Sequence, residues 1–202
     1  MSPKIKICGL TRPEETVMLS NNRVDYAGLV MFYEKSRRNN TVLQAEQILK
    51  GLPDNIQKVA VTVSPDVSRV RQIEQLGFDI LQVHGELSEE VLEAVSIPVW
   101  QACNIEKEDD FLEISRHPKV KGVVLDGKNP GNGKPFDWSI IQKFDKRNRL
   151  FILAGGLCAD NVQDALLLAN PDVVDVSSGV EGNNGKDALK IQQFVRKVRT
   201  DE

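Results

Sequence analysis

Eight short apolar runs recur along the 202-residue chain, spaced at roughly 25 residues, and this rhythm constrains the fold more than any other feature. They are KIKIC (4–8), DYAGLVM (25–31), KVAVTV (58–63), DILQVH (79–84), PVWQA (98–102), KGVVLD (121–126), LFILA (150–154) and DVVDVSS (172–178). Several are continuous rather than alternating, which suits parallel strands covered on both faces.

Helix-like segments with start signals lie between the runs. Thr11 and Glu14 form a capping-box pattern with Pro13 in the first turn, and Thr41 with Gln44 repeats the box. Ser64–Pro65 opens DVSRVRQIEQLG, which Gly77 closes; Ser88 opens EEVLEAV and Asp137 opens WSIIQKF. ADNVQDALLLA and DALKIQQFVRKVR complete the series, and EKEDDFLEISRH is a poor, highly charged helix in the fifth unit. Regular alternation of strand and helix implies a parallel sheet. Eight units predict a closed (β/α)8 TIM barrel of class α/β, one domain over residues 1–202, with an open doubly wound sheet as the competitor.

Composition narrows the function. A net charge of -3 leaves no basic excess for nucleic acid, though a local basic pocket for a small anion remains open. Cys8, Cys103 and Cys158 form no CxxC pair, and with only two histidines, His84 and His117, neither a metal site nor a disulfide framework is indicated. No apolar stretch is long enough to cross a membrane, and no signal peptide is visible; the expected compartment is a reducing cytoplasm.

A barrel carries its chemistry at the C-terminal ends of its strands. That rule singles out Cys8, Phe32, His84, Asp126, the Gly155–Gly156 pair and Ser177–Ser178–Gly179. Two Gly-containing polar turns, on strands seven and eight, fit a phosphate held by backbone N–H groups better than they fit turns alone. Cys8 alone reads as a small packed residue, or else as a base or nucleophile if its surroundings favour the thiolate. Asp126 reads as a turn residue or as a proton donor facing that thiol. His84 either touches a ligand or bonds a neighbouring loop. Arg37 and Arg38 are solvated, or one pairs with a substrate carboxylate through its fork. GKNPGNGKPFDW lacks the P-loop pattern and reads as a mobile loop flexed by Gly127, Gly131 and Gly133, with Lys134 adding charge. Cys103 and Cys158 read as structural.

In this order, the stretches KICGLT, QVHG, VVLDGKNPGNGKPFDW, LAGGL and DVSSGVE resemble the phosphoribosylanthranilate isomerase family over nearly the whole chain. The resemblance implies an Amadori rearrangement in tryptophan biosynthesis with no cofactor and no metal. It implies Cys8 as general base, Asp126 as general acid, phosphate on the Gly155–Gly156 and Ser178–Gly179 backbones, and Arg38 toward the anthranilate carboxylate. It also implies a phosphorylated small-molecule substrate, with the protein a monomer or homodimer. The chain departs from the family pattern at Pro130-Gly131-Asn132-Gly133-Lys134, where the family has GGTGK. The alternatives are another phosphosugar barrel isomerase or epimerase, and a catalytically silent phosphate-binding barrel.

Overall fold

The computed structural model describes residues 2–106, 110–111, 114–127 and 138–199. Its eight main strands are β1 (Lys4–Cys8), β2 (Tyr26–Met31), β3 (Gln57–Val63), β4 (Ile80–His84), β5 (Val99–Ile105), β6 (Val120–Gly127), β7 (Leu150–Leu153) and β8 (Val173–Val176). Each pairs in parallel with the next, and β1 pairs with both β2 and β8, which closes the barrel. A two-residue segment, Asn39–Asn40, adds to the edge of β2, and Glu181–Gly182 pairs antiparallel with Gly185–Lys186.

Side-chain alternation along these strands separates two cores. Ile5 and Ile7 point outward and pack in the larger core with helix residues such as Leu19, Ile48 and Phe194. Tyr26, Val59, Val61, Trp100, Val124 and Ile152 fill the barrel interior, where the Tyr26 and Trp100 rings meet edge-on at 5.0 Å. The same alternation sends Lys6 and Cys8 inward from β1.

Among the described residues six α-helices cover the strands: α1 (Glu15–Ser20), α2 (Val42–Gly51), α3 (Val67–Gln75), α4 (Glu89–Ala94), α5 (Val162–Ala169) and α6 (Ala188–Val198). The capping box at Thr41 forms, with Thr41 Oγ1 accepting from Gln44 N and Gln44 Oε1 accepting from Thr41 N at 2.9 Å. Ser88 caps α4, and Gly77 ends α3 in the left-handed conformation at φ +82°.

Other expectations fail. The Thr11–Glu14 box does not form, because α1 starts only at Glu15 and Glu14 makes no side-chain cap bond. The carboxylate of Glu15, fully buried, instead accepts from Thr11 N at 2.8 Å and from Lys186 N at 2.8 Å, tying the loop after β1 to the hairpin after β8. Asp66, not Ser64, caps α3 by accepting from Arg69 N. The sixth connection is the 3-10 helix Trp138–Lys143 rather than an α-helix, and the described residues of the fifth show only a 3-10 turn at 110–111. Asp137, Gly131, Gly133 and Lys134 lie outside the described residues.

Candidate active site

The chain leaves several strands through a backbone turn of positive φ: Gly9 after β1 (+80°), Phe32 after β2 (+56°), Ser64 after β3 (+42°), Gly85 after β4 (+72°) and Gly155 after β7 (+88°). These turns open one end of the barrel into a cavity of about 440 Å³. Of the residues the strand-end rule singled out, Cys8, His84, Asp126, Gly155, Gly156, Ser177 and Ser178 line its wall and Phe32 does not; Arg38, from the loop after β2, joins them.

Cys8 ends β1 with its sulfur against the bare backbone of Gly28. A Cβ at residue 28 would stand 2.8 Å from the sulfur and 3.2 Å from Lys6 Cε, so glycine there makes room for both side chains. Burial pushes the thiol's pKa up from its ordinary value, Lys6 pulls it down, Asp175 pushes it up again and Lys186 pulls down. The resting group is therefore the thiol, not the thiolate that positive surroundings alone would give.

Asp126 lies near the end of β6, 8 % exposed, with its Oδ1 accepting from Gly127 N at 2.7 Å. Burial raises its pKa, the nearby Asp175 carboxylate raises it further, and the result is about 6. A carboxylic acid poised there can donate a proton near neutral pH. His84 is held neutral, its pKa lowered to about 4 by burial and by the charge of Lys6. Its Nε2 lies 3.0 Å from Gln82 Nε2 on the same strand, so among the described residues its side chain partners a strand neighbour and not a loop.

The fork of Arg38 is already filled. Its Nε and Nη2 donate to the two carboxylate oxygens of Glu181 at 2.6 and 3.0 Å. Glu181 also accepts from Arg37 and Lys186 at 2.7 and 2.9 Å. Burial alone would raise its pKa, but the Arg38 hydrogen bond and the Lys186 charge hold it at about 2. Glu181 thus fixes Arg38 at the cavity wall.

The loop after β7 turns through two successive left-handed glycines, Gly155 and Gly156 at +88° and +67°. Asn161 shapes it, donating to Gly156 O at 2.9 Å and accepting from Cys158 N at 2.8 Å. Among the described residues the N–H groups of Gly155 and Gly156 have no backbone acceptor. Gly179 does not line the cavity; it packs the loop after β8 against the loop after β7, and a Cβ on it would run into the Leu157 carbonyl. Gly179→Ala is expected to cost about 2 kcal/mol by overpacking, read as a Tm lower by roughly 4–8 °C in a calorimetric scan. An unchanged Tm would show that the loops yield freely.

Several functional positions escape a linear reading: Lys6, Asp175, Gln82, Asn161, Glu181 and Lys186. Lys6 is fully buried and donates to Asp175 Oδ2 at 2.6 Å. Among the described residues no group of His, Cys, Asp or Glu is placed to hold a metal ion, and no helix is long and apolar enough to cross a membrane.

A family model described as N-(5'-phosphoribosyl)anthranilate (PRA) isomerase matches residues 5–197. An N-(5'-phosphoribosyl)anthranilate isomerase of Clostridium kluyveri is 37 % identical over 198 residues, covering 97 % of this chain and 98 % of that protein. The crystal structure of phosphoribosyl anthranilate isomerase from Thermotoga maritima superposes with a TM-score of 0.88 at 31 % identity, over 98 % of this chain and 99 % of that one. A crystal structure of phosphoribosyl anthranilate isomerase in complex with reduced 1-(o-carboxyphenylamino)-1-deoxyribulose 5-phosphate gives a TM-score of 0.84 at 30 % identity over the same shares.

Proposed function

Because the chain belongs to the N-(5'-phosphoribosyl)anthranilate isomerase family, we propose that its cavity carries out that isomerisation with Cys8 as base and Asp126 as acid. The reaction converts N-(5-phosphoribosyl)anthranilate into 1-(2-carboxyphenylamino)-1-deoxyribulose 5-phosphate, the isomerase step of tryptophan biosynthesis. Asp126 gives its proton to the ribose ring oxygen as the C1–O bond breaks, and the anthranilate nitrogen supplies the electron pair that forms the protonated imine. The Cys8 thiolate takes the C2 proton, and the C2–H electrons move to give an enolamine that tautomerises to the ketone. The observation that carries this reading is the pairing, in one cavity, of a carboxylic acid with a pKa of about 6 and a thiol on a different strand.

The open backbone of Gly155 and Gly156, with Ser178 of the neighbouring loop, receives the phosphate. His84, uncharged, and Arg38, fixed by Glu181, face the remainder of the substrate, with Arg38 toward the anthranilate carboxylate. Loss of one charge-assisted bond of about 1.5–3 kcal/mol predicts that Arg38→Met raises KM by roughly 10- to 100-fold while kcat changes little. An unchanged KM would remove Arg38 from the substrate site. The protein itself we read as one catalytic barrel over residues 1–202, cytoplasmic, acting as a monomer or homodimer. The direct test is turnover of freshly generated phosphoribosylanthranilate by the purified protein; absence of turnover would overturn the assignment.

A further inference from the structure

A base and an acid chosen from Cys and Asp start in the wrong protonation states. With ordinary values near 8.5 and 3.9, a thiolate and a carboxylic acid would coexist in only about one molecule in 10⁴ to 10⁵. The barrel interior contains a charged pair placed to correct this. Lys6 and Asp175 are direct register partners on β1 and β8, both inward, and their ion pair of 2.6 Å is buried, at 0 % and 7 % exposure. Lys6 stands two residues before Cys8 on the same strand, and the two side chains converge over Gly28. Asp175 lines the cavity with Asp126, and its second oxygen, Oδ1, is buried with no hydrogen-bond partner among the described residues.

We infer that the Lys6–Asp175 ion pair is a positioning pair that sorts protons between base and acid, its ammonium favouring Cys8 as acceptor and its carboxylate favouring Asp126 as donor. This rests on the catalytic reading of Cys8 and Asp126 given above. Burial works most strongly against the Lys6 charge, but Asp175 and Cys8 together more than compensate, so the ammonium persists. Each end of the pair acts most on its own neighbour: after burial, Lys6 has the largest influence on Cys8 and Asp175 the largest on Asp126. The cross effects, Asp175 on Cys8 and Lys6 on Asp126, are smaller and opposite. The net result brings the two proton affinities closer, and each tenfold narrowing raises the productive fraction tenfold. Among the described residues, the other charged groups acting here are Lys186, which favours the thiolate, and Arg38, which also interacts with Cys8; His84 is neutral.

The test is the pH dependence of Cys8 alkylation by iodoacetamide, mapped by peptide mass spectrometry with Cys158 as internal reference, alongside the pH profile of kcat/KM. Lys6→Met is expected to raise the Cys8 midpoint by at least about one pH unit, a tenfold change in proton affinity. Asp175→Asn is expected to lower that midpoint and to move the acid limb of the rate profile below about pH 6. Midpoints that stay fixed, or move in the same direction in both variants, would show a merely structural pair and overturn the inference while leaving the catalytic reading untouched. Opposite movement in an enzyme whose Cys8→Ser variant keeps full activity would overturn it through the catalytic reading instead. If either single variant fails to fold, Lys6→Gln combined with Asp175→Asn keeps a neutral hydrogen-bonded pair. Its kcat should fall by about tenfold or more with KM within about threefold, and a wild-type kcat would refute the inference.

Discussion

Asp126→Asn is expected to lower kcat by at least about 10²-fold and to erase the inflection of the rate profile near pH 6. Asparagine keeps the shape and can still donate a hydrogen bond to the ring oxygen, but it cannot release a proton to it. The pH signature follows from the two protonation states that the productive form needs, acid on Asp126 and thiolate on Cys8. Below about 6 Asp126 is fully protonated, and kcat/KM rises with the thiolate fraction. Above about 6 protonated Asp126 declines as fast as thiolate accumulates, so the profile is flat. It falls only above the thiol's own pKa, which burial places above the ordinary cysteine value. Without the carboxyl, the residual rate should keep rising through pH 6 until the thiol titrates. A wild-type rate, or an inflection that survives near pH 6, would remove Asp126 from the acid role.

The positions of Cys8, His84 and Asp126 were legible in the sequence because each stands at or next to a strand end, and barrel topology places every such end at one mouth. Eight apolar runs sufficed for the strand count. They did not suffice for the interior face. Read as continuous hydrophobic runs, KIKIC and DVVDVSS hide their period of two, in which Lys6 shares a face with Cys8 and Asp175 shares one with Ser177. Applying that period would have exposed a lysine and an aspartate aimed into a barrel core. Their pairing lies beyond any local signal, since they are 169 residues apart and meet only when β1 closes on β8. The same holds for Arg38 and Glu181, 143 residues apart, whose contact depends on two loops converging over the mouth.

Local rules failed where tertiary contacts outbid them. Thr11 has the capping partner that sequence asks for, yet its N–H bonds to Glu15, whose other oxygen is needed by Lys186 on the far side of the closure. Gly179 shows a related limit. Gly179 is there for the close approach of the Leu157 carbonyl, and the cavity wall is left to Gly155, Gly156 and Ser178.

Cys8→Ser is the sharpest test of the base. The hydroxyl occupies the same place against Gly28 and fits with room to spare, so folding and KM should be nearly unchanged. Its proton, however, is far less acidic than a thiol's, and the Lys6 charge that favours a thiolate cannot produce an alkoxide near neutral pH. The expected loss in kcat is on the order of 10²- to 10⁴-fold, the range for removal of a general base. The break that marks thiol titration on the alkaline side should disappear, while Asp126 continues to titrate near 6. Because proton transfer to Asp126's ring-oxygen target precedes removal of the C2 proton, the variant can still open the ribose ring, and the step that fails is enolamine formation. Substrate deuterated at C2 distinguishes the cases: if Cys8 is the base, the variant should show a larger isotope effect on kcat than the wild type wherever wild-type turnover is limited by another step. A Cys8→Ser enzyme with unaltered turnover and an unaltered alkaline limb would remove the thiol from the mechanism.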